Sequence, residues 1–144
     1  MDRAGFVRGV YEAMPEDIRA ALRHDETVAA LVGLLKPLLT EDFSILLAGP
    51  EGMGLEETHQ GADGFIAGWR DWTDPYDRYI FELQQIFESG DIVLAEGKQK
   101  AVPKGSTGEI LTDGIALWRF RGDQVERIEF HLDRERAYRL AGVE

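Results

Sequence analysis

The chain changes its hydrophobic period once. Up to about residue 72 apolar positions recur every three or four residues, and from about residue 77 they alternate with polar ones. Phe6, Val7, Val10, Tyr11 and Met14 share one helical face, and Asp2 stands where an N-cap acceptor is wanted. Pro15 suits the first turn of a second helix that carries Ile18 and Leu22. Asp25 is placed to cap a third, with Val28, Leu31, Val32 and Leu35 in register, and Pro37 ends it because proline has no N–H to continue the ladder. Phe43 to Ala48 reads as a short strand. Gly49 to Gly61 holds four glycines and Pro50, a loop with a brief extended piece near Thr58. Ala62 to Trp72 returns to helical spacing through Phe65, Ile66 and Trp69, and Asp74-Pro75 stops it.

Beyond that point Tyr79, Phe81, Leu83, Gln85 and Phe87 alternate with polar neighbours as a strand does. Ser89-Gly90-Asp91 is a tight hairpin connection, and Ile92 to Val102, Ile110 to Phe120 and Val125 to Leu132 are the next strands. Gly122-Asp123 makes a second short turn and Pro103 to Gly108 a looser one, while Asp133 caps a last helix through Arg139 that ends at Gly142. Helices first and four long strands afterwards predict an α+β fold. Its helices pack on one face of a strongly curved, mostly antiparallel sheet, a cone-shaped barrel with an internal pocket. No repeat, low-complexity tract or linker interrupts residues 1–144, so one domain is expected.

Composition narrows the chemistry. There are no cysteines, which removes disulfides, thiolate catalysis and cysteine-based metal sites. The three histidines show no ligand spacing such as His-x-x-x-His, and no glycine-rich loop has phosphate-binding spacing, so neither a metal nor a cofactor is implied. A net charge of −11, with only Lys98, Lys100 and Lys104 as a basic cluster, repels phosphate backbones and argues against a nucleic-acid partner. No apolar run approaches the roughly 18 residues that span a bilayer, and the Met1 region lacks a signal-peptide core. A cytoplasmic location without membrane attachment is the expectation.

A set of short segments keeps a recognisable order. Thr58-His-Gln-Gly61-Ala-Asp-Gly64-Phe-Ile is followed by Trp69-Arg-Asp-Trp72, Phe87-Glu-Ser-Gly-Asp-Ile-Val93 and Thr107-Gly108. Then come Trp118-Arg-Phe120-Arg-Gly122-Asp, the run from Val125 through His131 and Asp133 to Ala137, and Leu140-Ala-Gly142. In this order the chain resembles a SnoaL-like member of the nuclear transport factor 2-like superfamily, over about Phe43 to Val143. The resemblance implies a curved sheet around a helix-covered pocket and, often, dimerisation through the sheet. The superfamily includes polyketide cyclases, ketosteroid isomerase, scytalone dehydratase, limonene-epoxide hydrolase and non-catalytic binding proteins, so fold alone does not give the reaction.

Two catalytic patterns of that superfamily lose their key residues here. The epoxide hydrolase pattern needs an arginine and an aspartate two apart on the strand Ile92 to Val102 and a second aspartate on the last strand; this chain has Gly97, Gln99 and Phe130 there. The ketosteroid isomerase base falls in Gly49-Pro50-Glu51-Gly52, where glycine replaces the aspartate and Glu51 is the nearest carboxylate. Tyr11 on the first helix resembles the isomerase tyrosine, whose buried hydroxyl polarises a carbonyl; an aromatic on an apolar helix face is more often a core residue.

Other candidates come from strand parity. Val93, Ala95, Gly97, Gln99 and Ala101 share one face, and Asp113, Ile115, Leu117 and Arg119 share one on the next strand. If these faces point inward, the small residues leave pocket volume, with Gln99 and Asp113 as its polar groups and Asp113 as a candidate base; near the strand start, beside Gly114, Asp113 reads more readily as solvated. His131, flanked by Glu129 and Asp133 on one face, is the second acid–base candidate, because a carboxylate orients a histidine ring. Ile128, Phe130 and Leu132 make the opposite, apolar face, which leaves Arg127, Glu129 and His131 to solvent or to a homodimer partner. His24 and His59 read as solvated. Trp69 and Trp72 lie three apart over the sheet, as core or pocket wall. The function expected is that of a pocket protein holding a small apolar or aromatic molecule through Tyr11, Trp69, Trp72, Gln99 and Phe130. The alternatives are a cofactor-free isomerase, cyclase or dehydratase working through Asp113 or His131, and a non-catalytic dimeric interaction module. A cavity of roughly 300 Å3 favours the first two.

Overall fold

A computed structural model describes residues 2–14, 16–48 and 56–142, with the side chains of residues 56 and 57 left aside. The element order is α1 (Arg3–Ala13), α2 (Ile18–Leu22), α3 (Asp25–Leu35), a 3-10 turn (Lys36–Leu38), β1 (Leu39–Ala48), β2 (Glu56–Gln60), α4 (Gly61–Thr73), β3 (Tyr76–Ser89), β4 (Ile92–Pro103), β5 (Ile110–Arg121), β6 (Gln124–His131) and α5 (Arg134–Ala141). The strands form one sheet in the order β2-β1-β6-β5-β4-β3. Among the described residues only the β1–β6 pairing is parallel. Helices packed on a curved, mostly antiparallel sheet are what the period switch predicts. The sheet is curled rather than closed, since the edge strands β2 and β3 do not pair with each other among the described residues.

Local chemistry accounts for most boundaries. The Asp2 carboxylate accepts from Gly5 N at 2.9 Å and starts α1, and Asp133 does the same for α5 through Arg136 N at 3.2 Å. Gly142 ends α5 with φ +72°, the left-handed conformation that glycine takes without strain. Three predicted boundaries shift. The second helix begins at Ile18 with Asp17 as its cap, rather than at Pro15, which lies outside the described residues. Asp25 is the first residue of α3 and not its cap; His24, exposed, takes that place without a side-chain hydrogen bond. β1 starts at Leu39, four residues before the apolar run, because the pairing of Leu39 with Val125 on β6 carries the polar Thr40-Glu41-Asp42 segment into the sheet.

The largest departure is on β3. A bulge between Leu83 and Gln85 changes the side-chain parity, so Ile86 pairs with Ala95 on the helix side while Phe87 turns to the outer face and meets Tyr138 of α5. Each face of the sheet therefore has its own core. The inner face packs Phe43, Ile45, Leu47, Tyr79, Trp118, Phe120 and Phe130 against α1, α2 and α4. On the outer face Ile92, Leu94, Ile115 and Leu117 are covered by Ala137, Tyr138 and Ala141 of α5. No helix among the described residues is long and apolar enough to cross a membrane.

Candidate functional site

The space between the helices and the sheet is where a pocket would lie. Two adjoining apolar cavities remain there, of about 60 Å3 and about 40 Å3. Both are bordered by Val10, Met14, Ile18, Leu35, Phe65 and Trp69; the larger reaches Ala21, Leu22 and Leu31, and the smaller Tyr11, Phe81, Ala116, Trp118 and Phe130. This is far less than the roughly 300 Å3 expected of a ligand pocket. The reason is aromatic. Ala95, Gly97 and Gln99 do face inward, as strand parity suggested, but the rings of Phe81 and Phe130 lie over Gly97 and Gly114 and take the volume those small residues leave. A larger depression of about 350 Å3 opens at the start of α4 between Lys36, Thr40, Glu41, Gln60 and Asp63; its mixed polar walls belong to the surface.

Phe130 sits at the centre of the aromatic packing. Its ring centroid is 5.2 Å from Trp69, 5.7 Å from Trp72 and 5.9 Å from Phe81, each in an edge-to-face arrangement. Two hydrogen-bond chains cross the same interior. Trp118 Nε1 donates to the Tyr11 hydroxyl at 3.2 Å, so the Tyr11 proton remains to donate elsewhere. Trp72 Nε1 donates to the Tyr79 hydroxyl at 3.1 Å, and that hydroxyl donates to the Gln99 carboxamide oxygen. Burial pushes the pKa of both tyrosines up, partly opposed by the indole hydrogen bonds, so each stays a neutral phenol. Tyr11, Trp69, Trp72, Gln99 and Phe130, the five residues singled out as ligand contacts, are thus brought into one connected interior. Tyr79 and Trp118 join them. Their signal in the sequence was a pair of polar-tipped aromatics on strands whose inward faces are otherwise apolar.

The two acid–base candidates lie on the other side of the sheet. Asp113 pairs across the ladder with Lys98, and their side chains form an ion pair on the outer face, with that of Asp113 53% exposed. The inward residues of β5 are instead Thr112, Gly114, Ala116 and Trp118. His131 also points outward, but its exposure is only 1%. Its Nε2 meets Glu129 Oε1 at 2.9 Å, Glu129 Oε2 accepts from Arg127 Nε at 2.7 Å, and Arg127 donates to Ser44 Oγ at 2.7 Å. The row expected to meet solvent or a partner is used inside the protein. His131 Nδ1 is buried without a hydrogen-bond partner among the described residues. His59 lies on β2 rather than in a loop and packs half-buried against Gly64 and Gly68 of α4. Glu51 falls outside the described residues.

The Glu129 network has a pH signature. Its hydrogen bond to His131, and then that to Arg127, hold the Glu129 carboxyl at about 2 against an ordinary value of 4.5. A carboxylate whose folded pKa is depressed contributes stability above its unfolded pKa and loses it as pH falls through the folded one. Stability from this group should therefore decline between about pH 4.5 and pH 2, by about 1–2 kcal/mol after allowance for partial solvent access. Asp42, held at about 2 by Arg121, titrates in the same range. The checking measurement is urea unfolding from pH 6 to pH 2.5 for the parent and Glu129→Gln: the difference between them should shrink with acidification. A difference independent of pH would contradict the assignment.

Among the described residues no three His, Cys, Asp or Glu side chains gather as a metal site. Comparison with known proteins places this geometry. The SnoaL-like domain family matches residues 29–128. A nuclear transport factor 2-like protein of unknown function from Burkholderia pseudomallei K96243 is 24% identical, with 95% of each chain covered and a TM-score of 0.62. TerC, crystallised with polyporic acid, is 20% identical over 77% of this chain and 85% of its own, with a TM-score of 0.57. A SnoaL-like polyketide cyclase, so described, from Jannaschia sp. CCS1 is 13% identical over 76% of each chain, with a TM-score of 0.56. At these identities the structures share a fold with this chain. No curated protein matches it by sequence.

Proposed function

The chain belongs to the SnoaL-like domain family, and on that premise we propose that it binds a small, largely apolar molecule between the sheet and helices α1–α4. The observation that carries the reading is the pair of adjoining apolar cavities among the described residues. Native cores leave few voids larger than a water molecule. At roughly 24 cal/mol per Å3, about 60 Å3 of empty apolar space costs about 1.4 kcal/mol, which an occupant would offset. TerC with polyporic acid is a precedent for a small-molecule partner on this fold.

Binding on this reading requires the helices to yield. An engineered apolar cavity of about 150 Å3 is what holds benzene, and neither space here is that large. The elements able to move are α2 and α3. α3 has no buried residue, and α2 is a single short helix. Polar ties hold them: Asp17 Oδ1 accepts from Tyr79 N at 3.3 Å, Arg70 Nε donates to the Leu22 carbonyl at 3.2 Å, and the Arg70 guanidinium lies 3.9 Å from the Asp25 carboxylate of α3. The acid–base alternative has lost its named residues from this face, and the titratable side chain that borders the cavities is the neutral Tyr11. We therefore favour binding over catalysis. The setting proposed is cytoplasmic. A homodimer is proposed, using what α5 leaves of the outer face, around Lys98–Asp113, Glu82–Lys100 and exposed Leu111.

Thermal shift with p-xylene, naphthalene and a monocyclic terpene tests the reading. A ligand at 100 times its dissociation constant should add about 2.7 kcal/mol of stability. Ala21→Leu places its extra atoms in the larger cavity and should remove that shift while leaving the unliganded melting temperature equal or higher. No shift from any of these probes would end the reading.

A further inference from the structure

Five rungs run along the inner faces of β4 and β5: Val93–Trp118, Ala95–Ala116, Gly97–Gly114, Gln99–Thr112 and Ala101–Ile110. Directly opposed residues of an antiparallel pair project to the same side. The first two rungs border the smaller cavity through Trp118 and Ala116. The third is roofed by Phe81 and Phe130, whose ring atoms stand 2.7–3.2 Å from where a Cβ on Gly114 would be. The fourth is polar. Thr112 Oγ is wholly buried and has no hydrogen-bond partner among the described residues. Gln99, 4% exposed, has its oxygen occupied by the Tyr79 hydroxyl, so its NH2 is the end left to donate. Leaving the Thr112 hydroxyl unpaired away from water is unfavourable, and the Gln99 NH2 stands across the same rung as a donor.

We infer that the Gln99–Thr112 rung is a polar subsite that takes the hydroxyl or carbonyl oxygen of a neutral ligand, with the ligand's apolar body against Tyr11, Trp69 and Phe130. The inference rests on the interior being the binding site. A ligand hydroxyl would donate to Thr112 Oγ and accept from the Gln99 NH2; a carbonyl would accept from both. Charged head groups do not fit. Thr112, Gln99, Tyr79 and Trp72 carry no charge, and an ion buried among them would have no counter-charge. The wall between cavity and rung is made by Phe81 and Phe130, which border the cavity and cover the glycine rung alike. Phe130 is fully buried whereas Phe81 is half-buried, so Phe81 is the ring that turns aside to join the two spaces.

The pair p-cresol and p-xylene tests this, because the two share a shape and differ by a hydroxyl in place of a methyl. Titration by NMR should give p-cresol an affinity about tenfold higher than p-xylene. Thr112→Val, equal in size, should abolish the preference by weakening p-cresol while p-xylene binds as before. In the unmodified protein, nuclear Overhauser contacts should join the cresol ring to the Thr112 methyl group, a readout that does not depend on any variant folding. Equal affinities, a preference that survives Thr112→Val, or contacts confined to Ile18 and Leu35 would each overturn the subsite and leave interior binding standing. Failure of both probes to bind up to their solubility limits would overturn the interior site itself.

Discussion

Phe130→Ala is expected to lower stability by about 3–5 kcal/mol, the range for removing a large buried ring. The ring is 1% exposed and meets Trp69, Trp72 and Phe81 edge-to-face, so the variant loses those contacts as well as the transfer of apolar surface. Collapse cannot close the gap. Gly114 lies directly beneath the ring and has no side chain to move into it, and the smaller cavity already adjoins the other side. For a domain of this size the melting temperature should fall by roughly 10 °C or more. Denaturant unfolding with an unchanged m-value is the measurement. A loss under about 1.5 kcal/mol would mean that the aromatic packing around Phe130 is looser than described.

The same ring explains where the sequence was readable and where it was not. Helix and strand identity came from local periodicity, which survives in the structure because each element buries one face against a neighbour. Asp2, Asp133 and Gly142 could be placed because caps and left-handed glycines are decided within a few residues. Which face of a strand points inward is a different question. On β5 both Ile115–Leu117 and Ala116–Trp118 are apolar, because α5 returns to cover the outer side, so alternation alone could not say that Asp113 faces out. His131 reads as exposed for the same reason, since the α5 residues that cover part of this outer face come later in the chain. Phe87 was set on the wrong face by a one-residue bulge with no composition signal. The small residues on β4 suggested volume correctly, but the rings that fill it arrive from β3 and β6, at distances in sequence that no periodicity reports.

Gly97→Ala should be the most damaging small change in the sheet, at about 3 kcal/mol or more. The bulge folds β3 over β4, and a Cβ on Gly97 would overlap the Glu82 carbonyl oxygen, with Phe81 Cζ only 3.0 Å away. A backbone carbonyl cannot rotate aside as a side chain can. Relief requires β3 to lift, which breaks the curl of the sheet and displaces Phe81 from the cavity wall. The usual gain from replacing glycine, about 0.4–1 kcal/mol through the unfolded chain, is too small to compensate. Gly114→Ala supplies the control, since it sits opposite Gly97 in the ladder and its nearest obstacles are the Phe130 and Phe81 rings at 2.7–3.2 Å. Those rings can tilt into the neighbouring 40 Å3 of empty space, so its cost should be about 1 kcal/mol. Chemical denaturation of the two variants side by side decides the matter. If Gly114→Ala proves as costly as Gly97→Ala, side-chain crowding rather than the fold of β3 over β4 governs this part of the sheet.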